Sequence, residues 1–447
     1  MIRRQMWVRT QERIRLILEG NRADGTVVQV IIHSSSHKME DRSSIGFRCI
    51  ILLRVFAEPP QSYNLMKTSR RSFLQKTTRN GLAMLSTGGL TATTLTQLPA
   101  TADQSEKSSI TALPVKPDHV VRSLPENMVW GYFGADVPPV YKVKDGDVVE
   151  IQTVNPSGVS RTNPEEFYTK NNLPLDAHAQ EVIAIMKNVK PEPSGIRGHM
   201  LTGPVYIDGA EPGDSLEIRI LDLTFPAPFG VNSVWPGGGG IPDEVKTRET
   251  FVYRYDMKRK TASLKEGIDI PLKPFMGVMA LSPPADLGRQ SSIPPNFFGG
   301  NLDIKHLTKG TTLHLPVSVP GGLFTTGDGH GAQGNGEVSG VAIETAITLT
   351  VKFIVHKGKT LKQPRAETPT HFIAVGLDKD LNKAMKNALS EACAFMKEEL
   401  GFTFNEALSI ASTAVDFEVS QVVDQTLGVH AMIPKAIFTK KKFEYWS

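Results

Sequence analysis

The chain is poor in cysteine. Its 447 residues hold two, Cys49 and Cys393, which excludes a disulfide framework. Cys49 falls in a segment expected to be absent from the mature protein, and nothing near Cys393 would depress its pKa, which argues against a cysteine nucleophile. Long apolar runs are also missing, and with them a permanent transmembrane helix. No Gly-x-Ser-x-Gly elbow, His-Glu-x-x-His helix, P-loop or dinucleotide fingerprint occurs. Gly336-Glu337-Val338-Ser339-Gly340 places its serine wrongly for an elbow. No serine-rich glycine segment with a paired lysine suggests a serine amidase of the signature type. The formal charge of +4 belongs to the start of the chain, because residues 1–102 hold fifteen Lys/Arg and six Asp/Glu. That leaves 35 basic and 40 acidic residues beyond them, so nucleic-acid binding loses its compositional support.

What is present begins with an address. Residues 1–65 are Arg-rich without clear periodicity, and are expected to be a non-native or disordered leader before a second start at Met66. Ser69-Arg70-Arg71-Ser72-Phe73-Leu74-Gln75-Lys76 is a twin-arginine signature. The weakly apolar stretch Gly81 to Leu98 follows, and Ala100-Thr101-Ala102 is a small-residue cleavage site. Residues 66–102 therefore read as a signal peptide, 103–119 as a linker, and the mature protein as periplasmic or secreted. Its expected partner as a precursor is the twin-arginine export machinery, which carries proteins already folded. No nucleic acid and no stable membrane span are expected.

Residues 120–370 read as a β-rich body. Three times a Gly-containing turn opens an alternating run: Asp145-Gly146-Asp147 before VVEIQTV, Pro212-Gly213-Asp214 before SLEIRIL, and Lys309-Gly310 before TTLHLPV. Their irregular spacing favours sandwich or barrel sheets over a solenoid. Segments 156–180 and 225–250 read as loops. Residues 371–438 read as a small α+β closing unit and 439–447 as a tail. Leu381, Ala384, Met385, Leu389, Ala392, Phe395 and Met396 repeat at helical spacing up to a stop at Gly401. Thr403 with Glu406 predicts a capping box opening a second helix. The fold class is mainly β, with this C-terminal α+β portion.

The chemistry concentrates in Pro320 to Glu344, where Asp328, His330, Asn335, Glu337 and Glu344 sit among closely spaced glycines. Glycine loses the most backbone freedom on folding, so such a run needs a reason. The expected reason is an irregular loop presented by flanking strands. Asp328 and His330, two residues apart, can face one ion, and zinc accepts that donor mix; a hydrogen-bonded turn would use the same triplet. Glu337 fits a general base or a solvated strand-edge acid. His199, ahead of the strand VYID, and Asp303, leaving the Gly299-Gly300 turn, are further candidate ligands. Asp176-Ala177-His178 is a reserve pair. Trp235, Phe298 and Phe324 are candidates for the wall of a small pocket or for core packing.

The segments HMLTGPVYIDGAEPGD (His199–Asp214), FGGNLDIKHL (Phe298–Leu307) and LPVSVPGGLFTTGDGHGAQGNGEVSGVAIE (Leu315–Glu344) closely resemble the acetamidase/formamidase family. So does VDFEVSQVVDQTLGVHAMIPKAIF near the C-terminus, giving a likeness over about residues 120 to 438. The resemblance implies a mainly β homo-oligomeric hydrolase of non-peptide C–N bonds in linear amides, releasing ammonia and a short carboxylate. His199, Asp303, Asp328 and His330 fall in the matching motifs and are assigned to a divalent metal, zinc first, calcium or another ion second. Glu337 is assigned proton transfer. Two departures stand out: Ser339 where many relatives have Cys, and Asn335 where they have Asp. The rival expectation is a non-catalytic periplasmic β-sandwich that uses the same Asp/His/Glu cluster to hold a metal or polar ligand. A further variant is hydrolysis of another C–N bond, as in an amidine or a ureide.

Overall fold

The structure is a computed structural model that describes residues 2–10, 13–21, 27–38, 45–56 and 115–440. The chain divides into two compact units, one within residues 1–107 and one within 108–447. In the first, Ile2–Thr10, Arg13–Asn21, Val27–Lys38 and Ile45–Phe56 form an antiparallel meander in sequence order. Arg13-Ile14-Arg15-Leu16 and Val28-Gln29-Val30 alternate at period two within these strands. The twin-arginine segment and its cleavage site lie outside the described residues.

The second unit is built from two large sheets. All three turn-opened runs, Val148–Gln152, Ser215–Thr224 and Thr312–Pro316, enter one nine-stranded sheet. An eleven-stranded sheet faces it and contains Met200–Ile207, Phe275–Ala280, Gly299–Asn301, Phe324–His330 and Glu344–Thr345. Leu216, Ile218, Leu313, Leu349 and Val351 from the first meet Val205, Ile207, Met276 and Met279 from the second in one core. Each such buried side chain contributes about 1.5–3 kcal/mol, which makes this interlayer the main source of stability. Phe324 and Phe353 touch edge to face across it at 5.1 Å.

The closing segment is α+β as expected, but it has no sheet of its own. His371–Asp378 pairs with Leu427–Pro434 and with Arg365–Glu367, so its strands extend the nine-stranded sheet. Helix Leu381–Glu398 starts at Asp380, whose side chain accepts from Lys383 N, and helix Phe404–Ala414 carries both bonds of the Thr403/Glu406 capping box. Cys393 is buried among Phe395, Met396 and Ala407 as a core thiol. Two helices, Glu165–Lys170 and Ala177–Asn188, occupy part of the expected 156–180 loop. Asp176 is the second one's N-cap, accepting from Ala179 N at 3.0 Å, which accounts for the Asp176-Ala177-His178 pair without a ligand role.

Candidate functional site

The glycine-rich stretch is a strand before it is a loop. Phe324–His330 runs through the middle of the eleven-stranded sheet, pairing with Met200–Ile207, Phe275–Ala280 and Glu344–Thr345. Its glycines permit close neighbours: a Cβ at Gly327 would lie 2.6 Å from the Met200 carbonyl, and one at Gly329 2.6 Å from the Thr345 carbonyl. Period two puts Asp328 and His330 on the same side. Asp303 reaches that side from the end of Gly299–Asn301. The true loop begins at Gly331, and its Gly336 bridges to Gln421 on the strand Asp416–Gln421, so Glu337 is held from two directions.

These placements bring most of the expected site residues together. Donor atoms of Asp303, Asp328 and His330 all lie within 4.8 Å of one another, as do those of His330, Glu337 and Glu344, and those of Asp303, Glu337 and Asp424. His330 Nε2 stands 3.3 Å from Asp328 Oδ2, 3.3 Å from Glu344 Oε1 and 4.0 Å from Glu337 Oε1; its Nδ1 is 3.7 Å from Asp303 Oδ1. His199 sits at the rim, with Nε2 3.7 Å from Asp328 Oδ2. Ser292 Oγ accepts from the His199 backbone N–H at 2.8 Å and lies 3.2 Å from Nδ1, which turns Nε2 toward the acids.

Three of the acids are on strained backbone. Asp303, Asp328 and Glu337 have φ of 49°, 58° and 46°, the left-handed region that costs a residue with a Cβ about 1–3 kcal/mol. Gly277 completes the enclosure. A Cβ there would meet Asp328 Oδ2 at 2.6 Å, Asp303 Oδ1 at 2.7 Å and His330 Cε1 at 2.7 Å, so three site side chains converge on an absent side chain.

Burial pushes Asp303 well above the usual carboxylate range, and the neighbouring Glu337 and Asp424 add to it. Glu337 is raised by burial against the pull of His330, with Asp424 and Glu344 reinforcing the rise. Asp424 is pushed up to about 6, chiefly by burial. At Asp328 burial works the other way from the outcome: the charges of His199 and His330 outweigh it and keep the carboxyl low. Burial likewise opposes the charged form of His330, yet Glu344 and Asp328 hold it well above its ordinary value. Both oxygens of Asp303, both ring nitrogens of His330 and Oδ2 of Asp424 are buried without a hydrogen bond. Such groups are costly unless something polar or charged meets them. Five crowded carboxylates and one imidazole fit a divalent cation, which answers both the repulsion and the unmet donors.

Glu344 and Asp424 complete the cluster and were not assigned to it from sequence. Glu344 stood out only as one more polar residue of the stretch; its Oε1 accepts from Ala342 N at 2.7 Å. Asp424 follows the strand in Val422-Val423-Asp424, 87 residues after Glu337, and carries no local signal. Of the residues open to either a pocket wall or core packing, Phe298 and Phe324 are fully buried in the core. Trp235 packs beside Gly238 and Gly340, under the Arg248 guanidinium. The cleft that reaches Glu337, about 480 Å³, is lined instead by Lys273, Lys305, Asn335, Ser339 and Ala342.

Fold and cluster together define a two-sheet β protein with a buried acidic centre around one histidine. The model of the Acetamidase/Formamidase family matches residues 193–292 and 288–440, and the chain belongs to that family. A formamidase of Methylophilus methylotrophus is 28% identical over 362 residues, covering 65% of this chain and 84% of the relative. An acetamidase of Mycolicibacterium smegmatis is 24% identical over 298 residues, 48% of this chain and 73% of that one. The crystal structure of an acetamidase from Bacillus halodurans superposes with a TM-score of 0.60 at 27% identity, covering 72% of this chain and 99% of its own.

Proposed function

We propose that the protein is an amidase that hydrolyses the C–N bond of linear amides, releasing ammonia and a carboxylate, with Asp303, Asp328, His330 and His199 holding a divalent ion and Glu337 moving the proton. Membership of the family and its formamidase and acetamidase relatives support the amidase reading. The observation that carries the division of roles is the convergence of Asp303, Asp328 and His330 on the space beside Gly277, with Glu337 at the wall of the cleft. A bound divalent ion would activate water and polarise the amide carbonyl.

The chain's own residues do the rest. Ser292 keeps His199 turned inward, and the backbone bridge between Gly336 and Gln421 fixes the loop that carries Glu337. Glu337, raised in pKa by its surroundings, takes a proton from the attacking water and delivers it to the leaving nitrogen. Amides have poor leaving groups, so this proton delivery matters as much as the attack. Ser339 is no substitute nucleophile: its hydroxyl donates to the Val341 carbonyl and accepts from Asn232 Nδ2, with no base among these partners. Zinc suits the mixed nitrogen and oxygen donors, and the count of carboxylates leaves calcium as the second choice. The mature protein is assigned to the periplasm or the exterior by its twin-arginine signature, and to a homo-oligomer by its family.

The test is ammonia release from a panel of short amides, with ion content measured on the same sample. Glu337→Gln is expected to keep the ion and lose about 10²–10⁴-fold in turnover. Loss of the ion with the substitution would make Glu337 a ligand and overturn the assigned roles.

A further inference from the structure

We propose that His306, Glu418 and His430 form a second divalent-cation site, of the zinc type, separate from the amidase cluster. Glu418 and His430 are directly paired across the strands Asp416–Gln421 and Leu427–Pro434, which places their side chains side by side on one face. His306 joins them from the turn that follows Asp303. The donor atoms of the three all lie within 4.8 Å of one another. His306 Nε2 is 2.9 Å from Glu418 Oε2, and His430 Nε2 is 3.7 Å from the same oxygen. Ligands on a tetrahedral zinc lie roughly 3.3 Å apart, from bond lengths of about 2.0–2.2 Å, so small side-chain rotations close the site.

The second observation is the state of His430. The ring is fully buried, and its Nδ1 is engaged with Ser420 Oγ at 2.7 Å. Nε2 is buried without a hydrogen bond, and in the tautomer whose Nδ1–H donates to that hydroxyl it carries the lone pair. A histidine oriented through one nitrogen and bare at the other is the arrangement of a metal ligand with its supporting contact. Two imidazoles and one carboxylate form the donor set, and the fourth position opens to solvent. His306 and Glu418 are each 27% exposed at the side chain and line a cleft of about 1080 Å³, which supplies the entry path.

This site would be structural or regulatory rather than reactive. Asn335 Nδ2 donates to Glu418 Oε2 at 2.6 Å, and Asn335 lies two residues before Glu337. An ion on Glu418 would therefore fasten the strand that anchors the catalytic loop.

The experiment is X-ray diffraction from zinc-soaked crystals of the wild-type protein, recorded at the zinc edge, beside zinc titration of ion-free protein. An anomalous peak about 2.0–2.2 Å from His306 Nε2, His430 Nε2 and Glu418 Oε2 is expected. In solution, His306→Gln should weaken one equivalent by more than about a hundredfold, while Asp303→Asn leaves that equivalent in place. No anomalous density among the three donors would overturn the proposal, and so would unchanged zinc affinity in folded His306→Gln. Density at the Asp303 cluster is read separately, so failure here is distinguishable from failure of the amidase reading.

Discussion

At Gly277 the missing side chain is the informative one. Any Cβ there would collide with Asp328, Asp303 and His330 at once; Asp303 and Asp328 lie on left-handed backbone, and Asp303 and His330 are buried. Gly277→Ala is expected to leave the fold intact by circular dichroism while cutting ion content and lowering turnover about a hundredfold, since displacements near 1 Å cost that much. Unchanged activity would mean the enclosure is not the reacting space. At the same scale, Asn335 donates to Glu418, which an aspartate at that position would repel, and Ser339 is tied to Val341 and Asn232. The spacing of Asp328 and His330 was readable because two residues apart on extended chain means one side. Glu344 and Asp424 were not, because nothing in their neighbours marks them, and only the folded chain brings Asp424 to Asp303.

The element most misread from its residues is the strand Phe324–His330. FTTGDGH lacks the apolar alternation of a strand and has the glycines of a loop, yet those glycines are what lets three strands crowd against it. By contrast, the capping box and the turn-opened strands were legible, since local hydrogen bonds and period-two patterning decide them. The turn before Ser215–Thr224 offers a test. Asp214 is buried, which disfavours its charge, but Lys357 and the backbone N–H groups of Gly358 and Glu211 outweigh burial and hold its carboxyl below the usual range. A folded-state pKa below the unfolded one adds stability above the unfolded value, lost as pH falls through the folded one. Asp214→Asn should therefore cost about 1–3 kcal/mol in urea melts at neutral pH, and the gap to wild type should close in acid. A gap that stays constant down to acid pH would show that the charge is not what stabilises the turn.

Across the whole molecule, the mainly β class was legible because turn chemistry and alternation recur along the body. No helix among the described residues is long and apolar enough to cross a membrane. Export is tested by replacing Arg70 and Arg71 with Lys, which should strand the precursor inside the cell; normal secretion would remove the twin-arginine reading. Ion removal should act on the fold as well as on turnover, because the buried acids repel one another without a cation. Free ion at a thousand times its Kd stabilises by about 4 kcal/mol, so chelation should lower the melting temperature by several degrees and added ion should restore it.

The most direct measurement is ammonia release from formamide and acetamide by one protein preparation stripped of divalent ions in steps, with the ion content determined at each step. The account predicts that turnover falls in proportion to the ion retained and returns when zinc is added back. Full ammonia release from ion-free protein would contradict it.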